Sequence, residues 1–140
     1  MQPPFTSGTK VNQAVVAFLD GRRLKGYIFN FSAIREVFRL FPSEKATHES
    51  GTDVLMKDLK AIFFVKDFSG DPAYKESPEH DAPQRGRKIE ITFADGEKLT
   101  GITDAYNKQK LGFFVFPLDA GSNNVRIFVI NRNVHDAQMH

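Results

Sequence analysis

The chain repeats itself along its length. Residues 14–64 align with residues 89–139 at a constant offset of 75 positions and without a gap. Nine of the 51 aligned positions are identical, where ordinary composition would give about three. The identical pairs are Phe18 with Phe93, Asp20 with Asp95, Gly21 with Gly96, Leu24 with Leu99, Gly26 with Gly101, Phe38 with Phe113, Phe41 with Phe116, Pro42 with Pro117, and Val54 with Val129. Because these pairs fall on turn and core positions, the repeat predicts two copies of one small structural unit.

Each copy opens with the signature of a β-hairpin. Asp20-Gly21 and Asp95-Gly96 lie between runs with apolar residues at alternate positions. Asp-Gly suits a two-residue type I′ turn, because glycine accepts a positive φ and aspartate tolerates it. A third strand ends at Pro42 or Pro117, and a loop and two short final strands follow. Neither copy has sustained helical periodicity, so each is predicted to be an all-β unit of about five short strands.

The composition excludes several kinds of site and location. None of the 140 residues is a cysteine, which excludes disulfides, thiolate metal sites and a cysteine nucleophile. The formal net charge of +2 is too small to attract nucleic acid as an overall field. The first ten residues lack the apolar core of a signal peptide. No run approaches the ~20 apolar residues of a membrane span. We therefore expect a cytoplasmic protein that does not cross a membrane.

Catalytic and cofactor-binding patterns are not found in the sequence. Asp20 and Asp95 recur at equivalent places, but each is expected to serve its turn rather than acid–base chemistry. The histidines are scattered without zinc-ligand spacing; they are His48, His80, His135 and His140. There is no phosphate loop, dinucleotide fingerprint or nucleophile elbow. The sequence therefore predicts a protein that is not an enzyme and that uses neither a cofactor nor a metal.

The same short motifs occur in the same order in both copies. Asp-Gly is followed by Leu-x-Gly, by an aromatic residue five positions later, and by an apolar strand. Copy one has Asp20-Gly21, Leu24-Lys25-Gly26, Phe31 and Phe38-Arg39-Leu40, and copy two has Asp95-Gly96, Leu99-Thr100-Gly101, Tyr106 and Phe113-Phe114-Val115. This order resembles the Sm and Sm-like small barrel, whose elements are shared with other SH3-like barrels. The chain also resembles an uncharacterised bacterial family of tandem small barrels, through Leu59-Lys60-Ala61-Ile62-Phe63-Phe64-Val65-Lys66-Asp67-Phe68 and Gly70-Asp71.

The resemblance implies an all-β fold of two tandem Sm-like or SH3-like five-stranded small barrels. The expected organisation is a flexible tail at 1–13, barrel repeat one at 14–67, a linker at 68–86 and barrel repeat two at 87–140. The linker contains three prolines, and its two basic against four acidic residues make it acidic. Two aromatic residues near its start, Phe68 and Tyr74, are expected to dock on a barrel.

RNA-binding Sm proteins hold a base with an aspartate just after the aromatic residue and an asparagine a few positions later. The corresponding positions here are Ser32 and Glu36 in copy one, and Asn107 and Leu111 in copy two. The base pocket of that family is therefore not recognisable in either copy.

Two sets of side chains are candidates for a binding surface. Alternation along the strands turns one aromatic set away from the barrel interiors, and exposed apolar surface of this kind usually marks an interface. This aromatic set is Tyr27, Phe29, Phe41, Phe114 and Phe116. It is expected either to pack between the two barrels or to dock another protein, and self-association is a further possibility. A basic set that can follow a phosphate backbone consists of Arg22, Arg23, Lys25, Arg35, Arg39, Lys108 and Lys110.

These observations lead to two functional hypotheses. The first is a non-catalytic tandem-barrel module that binds another protein, as an adaptor in a bacterial regulatory system. The alternative is a nucleic-acid-binding protein of Sm-like type that uses the basic set. Residues 110–116 resemble the aromatic strand with which an RNA-recognition motif stacks on bases. Alignment with copy one, however, identifies this segment as the third strand of the repeat.

Overall fold

A computed structural model describes residues 11–45, 50–68, 86–119 and 121–140. The described residues form ten β-strands and no α-helix. The strands are β1 Val11–Phe18, β2 Arg23–Phe29, β3 Val37–Leu40, β4 Thr52–Leu55, β5 Leu59–Val65, β6 Arg87–Phe93, β7 Lys98–Thr103, β8 Gly112–Val115, β9 Asn124–Ile130 and β10 Val134–Met139. Two one-turn 3-10 helices, Met56–Asp58 and Asn131–Asn133, connect β4 to β5 and β9 to β10. The prediction of an all-β fold is confirmed.

The strands form three antiparallel sheets, none of which closes on itself as a barrel. One sheet has five strands in the order β2-β1-β5-β9-β8, one has three in the order β10-β6-β7, and β3 pairs with β4 alone. The largest sheet takes strands from both halves of the chain, because β5 pairs with β9. Two separate closed barrels are therefore not what the hydrogen bonding shows.

The offset of 75 residues recurs in the strand pairing. Corresponding pairs are Val16↔Leu24 and Ile91↔Leu99, Val37↔Leu55 and Gly112↔Ile130, and the isolated bridges Tyr27↔Phe41 and Ile102↔Phe116. The pairings β1·β5 and β6·β10 also match, including the irregularity near the end of each. Copy one and copy two, which span residues 11–65 and 86–140 in the structure, thus have equivalent strand arrangements.

The hairpin turns differ from the predicted type. Among the described residues other than glycine only Asn30 has a positive φ, so Asp20 and Asp95 do not adopt the left-handed conformation of a type I′ turn. The loops have three residues instead. The Phe18 N–H bonds to the Arg22 carbonyl at 2.9 Å, and Gly21 has φ 96°. Each aspartate accepts a backbone N–H two residues ahead, as in Asp20 Oδ1 with Arg22 N at 3.0 Å.

The two halves share their hydrophobic cores. Successive residues of a strand face opposite sides of a sheet, and both faces of β5 and β9 are covered. On β9, Phe128 and Ile130 pack in the core of copy one, whereas Ile127 and Val129 pack in the core of copy two. Conversely, Ala61 on β5 belongs to the core of copy two. The copies are therefore parts of one hydrophobic assembly.

Polar contacts also join the copies. The Lys60 ammonium on β5 lies 2.7 Å from Asp95 Oδ2 and 3.0 Å from Glu97 Oε2, at the hairpin of copy two. The buried side chain of Asn133 donates to the carbonyls of Lys57 and Leu59, at 2.9 and 2.7 Å. These contacts satisfy polar groups that the junction removes from water.

The start of the predicted linker docks on copy one, as expected for its first aromatic residue. The Phe68 ring meets Tyr27 edge-on, with centroids 5.3 Å apart. Lys25 Nζ donates to the Phe68 carbonyl at 3.1 Å. From copy two, the side chain of Asn123 bonds both the N–H and the carbonyl of Asp67, the residue before the linker, at 3.1 and 2.8 Å. Tyr74 lies outside the described residues.

Candidate functional site

A cleft of about 320 Å³ opens in copy one between the end of β2 and strand β3. We call it the copy-one cleft. It is lined by Ile28, Phe29, Asn30, Phe31, Ser32, Arg35, Val37, Phe38, Arg39, Phe41 and Asp53. It therefore brings together two members of the aromatic set, Phe29 and Phe41, and two of the basic set, Arg35 and Arg39.

The cleft lies next to the single bridge that joins β2 to β3. Tyr27 and Phe41 exchange two backbone hydrogen bonds of 2.8 and 2.9 Å. Three residues later Asn30 has φ 52°, a left-handed conformation that asparagine adopts more readily than most residues. The chain then leaves the sheet, and the space beyond the bridge is lined by side chains rather than by a paired strand.

The corresponding place in copy two is held together by a side chain. There Thr103 Oγ1 donates to the Phe114 carbonyl at 2.8 Å and accepts the Ala105 N–H at 3.1 Å. The equivalent residue in copy one is Ile28, which has no hydroxyl group. The side-chain bond that Thr103 makes in copy two therefore has no counterpart at this position in copy one.

Aromatic rings form the walls of the copy-one cleft. Phe29 and Phe41 pack edge-on with centroids 5.3 Å apart, and Phe31 and Phe38 do so at 6.4 Å. Phe41 is only 3% exposed, so it forms the base of the cleft rather than an outward-facing ring. Edge-on rings of this kind hold each other in place and leave ring edges for a ligand.

Charged groups line the rim on the β3 side. Arg39 Nε donates to Asp53 Oδ1 at 3.0 Å, across the β3·β4 pair. Arg35 is exposed and contacts no acceptor among the residues that the structure describes. Its neighbour Ile34 is 87% exposed. The rim thus presents one paired and one available guanidinium group above an aromatic base.

The aromatic set does not form one surface. The Tyr27 ring packs against Phe68, whereas Phe29 and Phe41 line the cleft. Phe114 packs against Phe31, Phe64 and Phe128, so within the set it is the member whose ring contacts join the two copies. Phe116 is half-buried and forms the bridge to Ile102. The role of these residues in binding a partner stays a prediction.

The basic set is also dispersed. Arg22 is bound to Asp20 at 2.8 Å, Arg23 lies 3.5 Å from Glu97, and Lys25 binds the Phe68 carbonyl. Lys108 lines a separate cavity of about 240 Å³ beside Tyr106 and His135, and Lys110 is exposed. Only Arg35 and Arg39 meet at one place, the copy-one cleft.

Asp95 and Arg126 make contacts that the sequence did not reveal. Asp95, expected only to shape its turn, also binds Lys60. The hydrogen bond from the Lys60 ammonium, followed by that from the Glu97 N–H, lowers the pKa of Asp95. Burial opposes the charge of Lys60, but the hydrogen bonds to Asp95 and Glu97 outweigh it and raise the pKa of Lys60. No local pattern signals this contact, because its partners are 35 residues apart.

The second is Arg126, which was not in the basic set. Its guanidinium lies over the Phe64 and Phe114 rings at the junction of the copies. A lone arginine in an apolar strand gives no signal of the rings that surround it.

The described residues contain no group of three side chains suited to hold a metal ion. Within the same ranges, no helix has the length and apolar character needed to pass through a membrane.

Comparison with known proteins gives one result. A family model described as a family of unknown function, DUF6982, matches residues 10–140. No curated protein and no solved structure matches the chain. Since the match covers nearly the whole length, the chain belongs to the DUF6982 family.

Proposed function

We propose that the protein is a non-catalytic binding module that takes a short segment of another protein into the copy-one cleft. The single observation that carries the proposal is the cleft itself, about 320 Å³ with aromatic walls and an available arginine at its rim. A pocket with an apolar base and few polar groups at its edge is the usual form of a recognition site.

The composition of the cleft favours a peptide with an apolar and an acidic residue. The Phe29 and Phe41 rings offer apolar contact. Arg35 offers a charged donor, since Arg39 is already paired with Asp53. A guanidinium group binds a carboxylate with two parallel hydrogen bonds, which fixes orientation as well as adding affinity.

The wider hypothesis places this site in a duplicated small barrel. The matching strand registers and the single bridges at Tyr27–Phe41 and Ile102–Phe116 support the inference that each copy is related to a small barrel of the Sm-like or SH3-like kind. We further propose that the protein is a cytoplasmic adaptor in a bacterial regulatory system. In this arrangement copy one would bind the partner segment and copy two would support copy one.

Binding of nucleic acid is the alternative, and the basic set gives it less support. Arg22, Arg23 and Lys25 already contact acceptors of the chain itself. Phosphate-backbone binding usually needs several available cations along one track. Arg35 alone at the cleft does not supply such a track.

A peptide-display experiment tests the proposal. A library of random 12-residue peptides is selected on the full chain, and the affinities of enriched peptides are measured by fluorescence anisotropy. We expect Arg35→Glu to weaken binding by about tenfold or more, as the loss of a charge-assisted hydrogen bond predicts. Lys110→Glu is the matched control, because Lys110 occupies the equivalent position in copy two. It should leave the affinity unchanged.

The two hypotheses predict different outcomes. If no peptide is enriched, or if enriched peptides bind Arg35→Glu as well as the unaltered chain, the protein-binding proposal is wrong. A short single-stranded RNA that binds, loses affinity steeply with salt and is weakened by both charge reversals would support the alternative instead.

A further inference from the structure

Arg126 is held on the aromatic cluster at the junction of the two copies. It lies on β9, and its register partner on β5 is Phe64. The guanidinium carbon is 4.7 Å from the centre of the Phe64 ring and 4.5 Å from that of Phe114. These two rings come from different copies and are 6.3 Å apart at an angle of 48°. The guanidinium is therefore fixed by aromatic contacts on both copies.

Ring contacts stabilise the charge of a guanidinium only modestly and leave its hydrogen-bonding capacity unused. The group carries five N–H donors, which point outward in its plane. Arg126 has neither a carboxylate within 4 Å nor a hydrogen-bond acceptor among the described parts of the chain. The other arginines that approach the fold closely do have an acceptor: Arg22 with Asp20, Arg23 with Glu97, Arg39 with Asp53 and Arg87 with the His140 carbonyl.

Arg126 is also partly removed from water. Its side chain is half-buried, and burial lowers the pKa of its guanidinium. A desolvated cation without a counter-charge is costly, and an incoming anion would offset that cost. An interaction of this kind is stronger than one at a fully solvated arginine, because less water competes for the donors.

We propose that Arg126, fixed on the Phe64 and Phe114 rings, is a binding site for an oxyanion. The ligand is a carboxylate or a phosphate group, since each presents two oxygens that match the paired donors of a guanidinium. The site goes beyond the proposed function, because Arg126 is not among the residues that line the copy-one cleft. It occurs in copy two only, as the equivalent residue in copy one is Gly51.

Side-chain NMR of the full chain tests this site without a partner protein. The Nε–H resonances of the arginines are followed while inorganic phosphate or acetate is added at constant ionic strength. We expect a saturable shift of the Arg126 resonance, whereas that of Arg22, already bound to Asp20, should not follow the same curve. Saturation by acetate indicates a carboxylate ligand, and saturation by phosphate alone indicates a phosphate group.

Two variants complete the test. Arg126→Lys keeps the charge but not the paired donors, so the affinity, followed in this variant through the backbone amides of β9, should fall by about tenfold. Arg132→Gln removes an exposed arginine of the same copy and should change nothing. A shift that is linear in concentration, or equal for all arginines, would overturn the proposal and leave Arg126 as a packing residue. Because the titration of the unaltered chain decides this alone, a variant that fails to fold does not prevent a conclusion.

Discussion

The Lys60 ammonium on β5 and the Asp95 carboxylate at the hairpin of copy two lie 2.7 Å apart, and the Lys60 side chain is only 5% exposed. This ion pair joins the two copies beside the shared sheet. Lys60 is surrounded by protein, whereas Asp95 reaches the surface. Removal of Asp95 therefore takes a partner from a buried ammonium group, whereas removal of Lys60 leaves a carboxylate that water can reach.

Replacement of Lys60 should lower stability. Lys60→Ala removes the charge that pairs with Asp95 and Glu97 and leaves space beneath the hairpin, so we expect a loss of about 2 kcal/mol. Lys60→Met fills the same volume without a charge and should cost less. Urea unfolding followed by circular dichroism measures both. Equal stability of Lys60→Ala and the unaltered chain would show that the ion pair contributes nothing.

The same pair makes stability depend on pH at both extremes. The pKa of Asp95 is lowered from its ordinary value of 3.8, so the unfolded chain takes up the proton first as the pH falls. The contribution of Asp95 is thus complete above pH 3.8 and is lost as the pH falls through its lowered pKa. The pKa of Lys60 is raised above 10.5, so its contribution is complete below that value and is lost as the pH rises through the raised pKa.

Unfolding free energies measured from pH 2 to 7 and from pH 9 to 12 check these directions. In Asp95→Asn the unfolding free energy should depend less steeply on pH in the acid range. Asp20 also has a lowered pKa, first through the N–H of Arg22 and then through its side chain. Asp20→Asn is therefore the control for the acid effect of a turn aspartate that does not join the copies. An acid slope identical in Asp95→Asn and the unaltered chain would contradict the assignment.

The glycine of each Leu-x-Gly motif should not tolerate a side chain. A Cβ atom at Gly26 would lie 2.7 Å from the Phe41 carbonyl oxygen, and one at Gly101 would lie 2.6 Å from that of Phe116. Both oxygens belong to the bridges that connect β2 to β3 and β7 to β8. We expect Gly26→Ala and Gly101→Ala each to cost about 2 kcal/mol.

The comparison for these variants is Gly21→Ala. Nothing lies within 4 Å of a Cβ atom at Gly21, and the cost there comes only from its φ of 96°. Its loss should be about 1 kcal/mol. Thermal unfolding separates steric from conformational effects, and a Gly101→Ala protein as stable as the unaltered chain would refute the close approach.

Asn133 should matter more than its surface neighbours. Its buried amide donates to two carbonyls of copy one, so Asn133→Ala leaves both without that partner. A loss of about 2 kcal/mol is expected. Asn131→Ala is the control, because the amide of Asn131 bonds the carbonyls of Asn107 and Lys110 within its own copy and at an exposed position. If Asn131→Ala proves the more damaging variant, Asn133 does not hold the junction.

Neither copy should fold when expressed alone. Residues 1–67 would lose Phe128 and Ile130 from their core, and residues 87–140 would lose Ala61 and the pairing of β9 with β5. Amide NMR spectra of the separate halves should therefore be those of unfolded chains. A dispersed spectrum from either half would show that the copies are independent domains.

The sequence contained enough information to predict the repeat and its strands, but not how the copies join. The Asp-Gly and Leu-x-Gly motifs are local signals, and both mark the expected hairpins. The turn type was wrong because three-residue loops need the positive φ only at Gly21 and Gly96. The pairing of β5 with β9 has no local signal, since continuous apolar runs show that a strand is covered on both faces but not by which neighbour.

The candidate site was predicted in part. Phe29, Phe41, Arg35 and Arg39 were each singled out from the sequence, but as members of two separate sets. What brings them together is the single Tyr27–Phe41 bridge, which sets the end of β2 beside β3 although the two segments are distant in sequence. Arg126 was missed because its partners, Phe64 and Phe114, lie on strands distant in sequence.

The sharing of β5 and β9 between two cores has an evolutionary consequence. Successive residues of β5 and β9 pack in different cores, so selection for either core constrains both strands. Within DUF6982 these two strands should therefore diverge most slowly. Strands β4 and β10, which are the counterparts of β9 and β5 in the other copy, each contact one core only, so their remaining positions should vary more among family members.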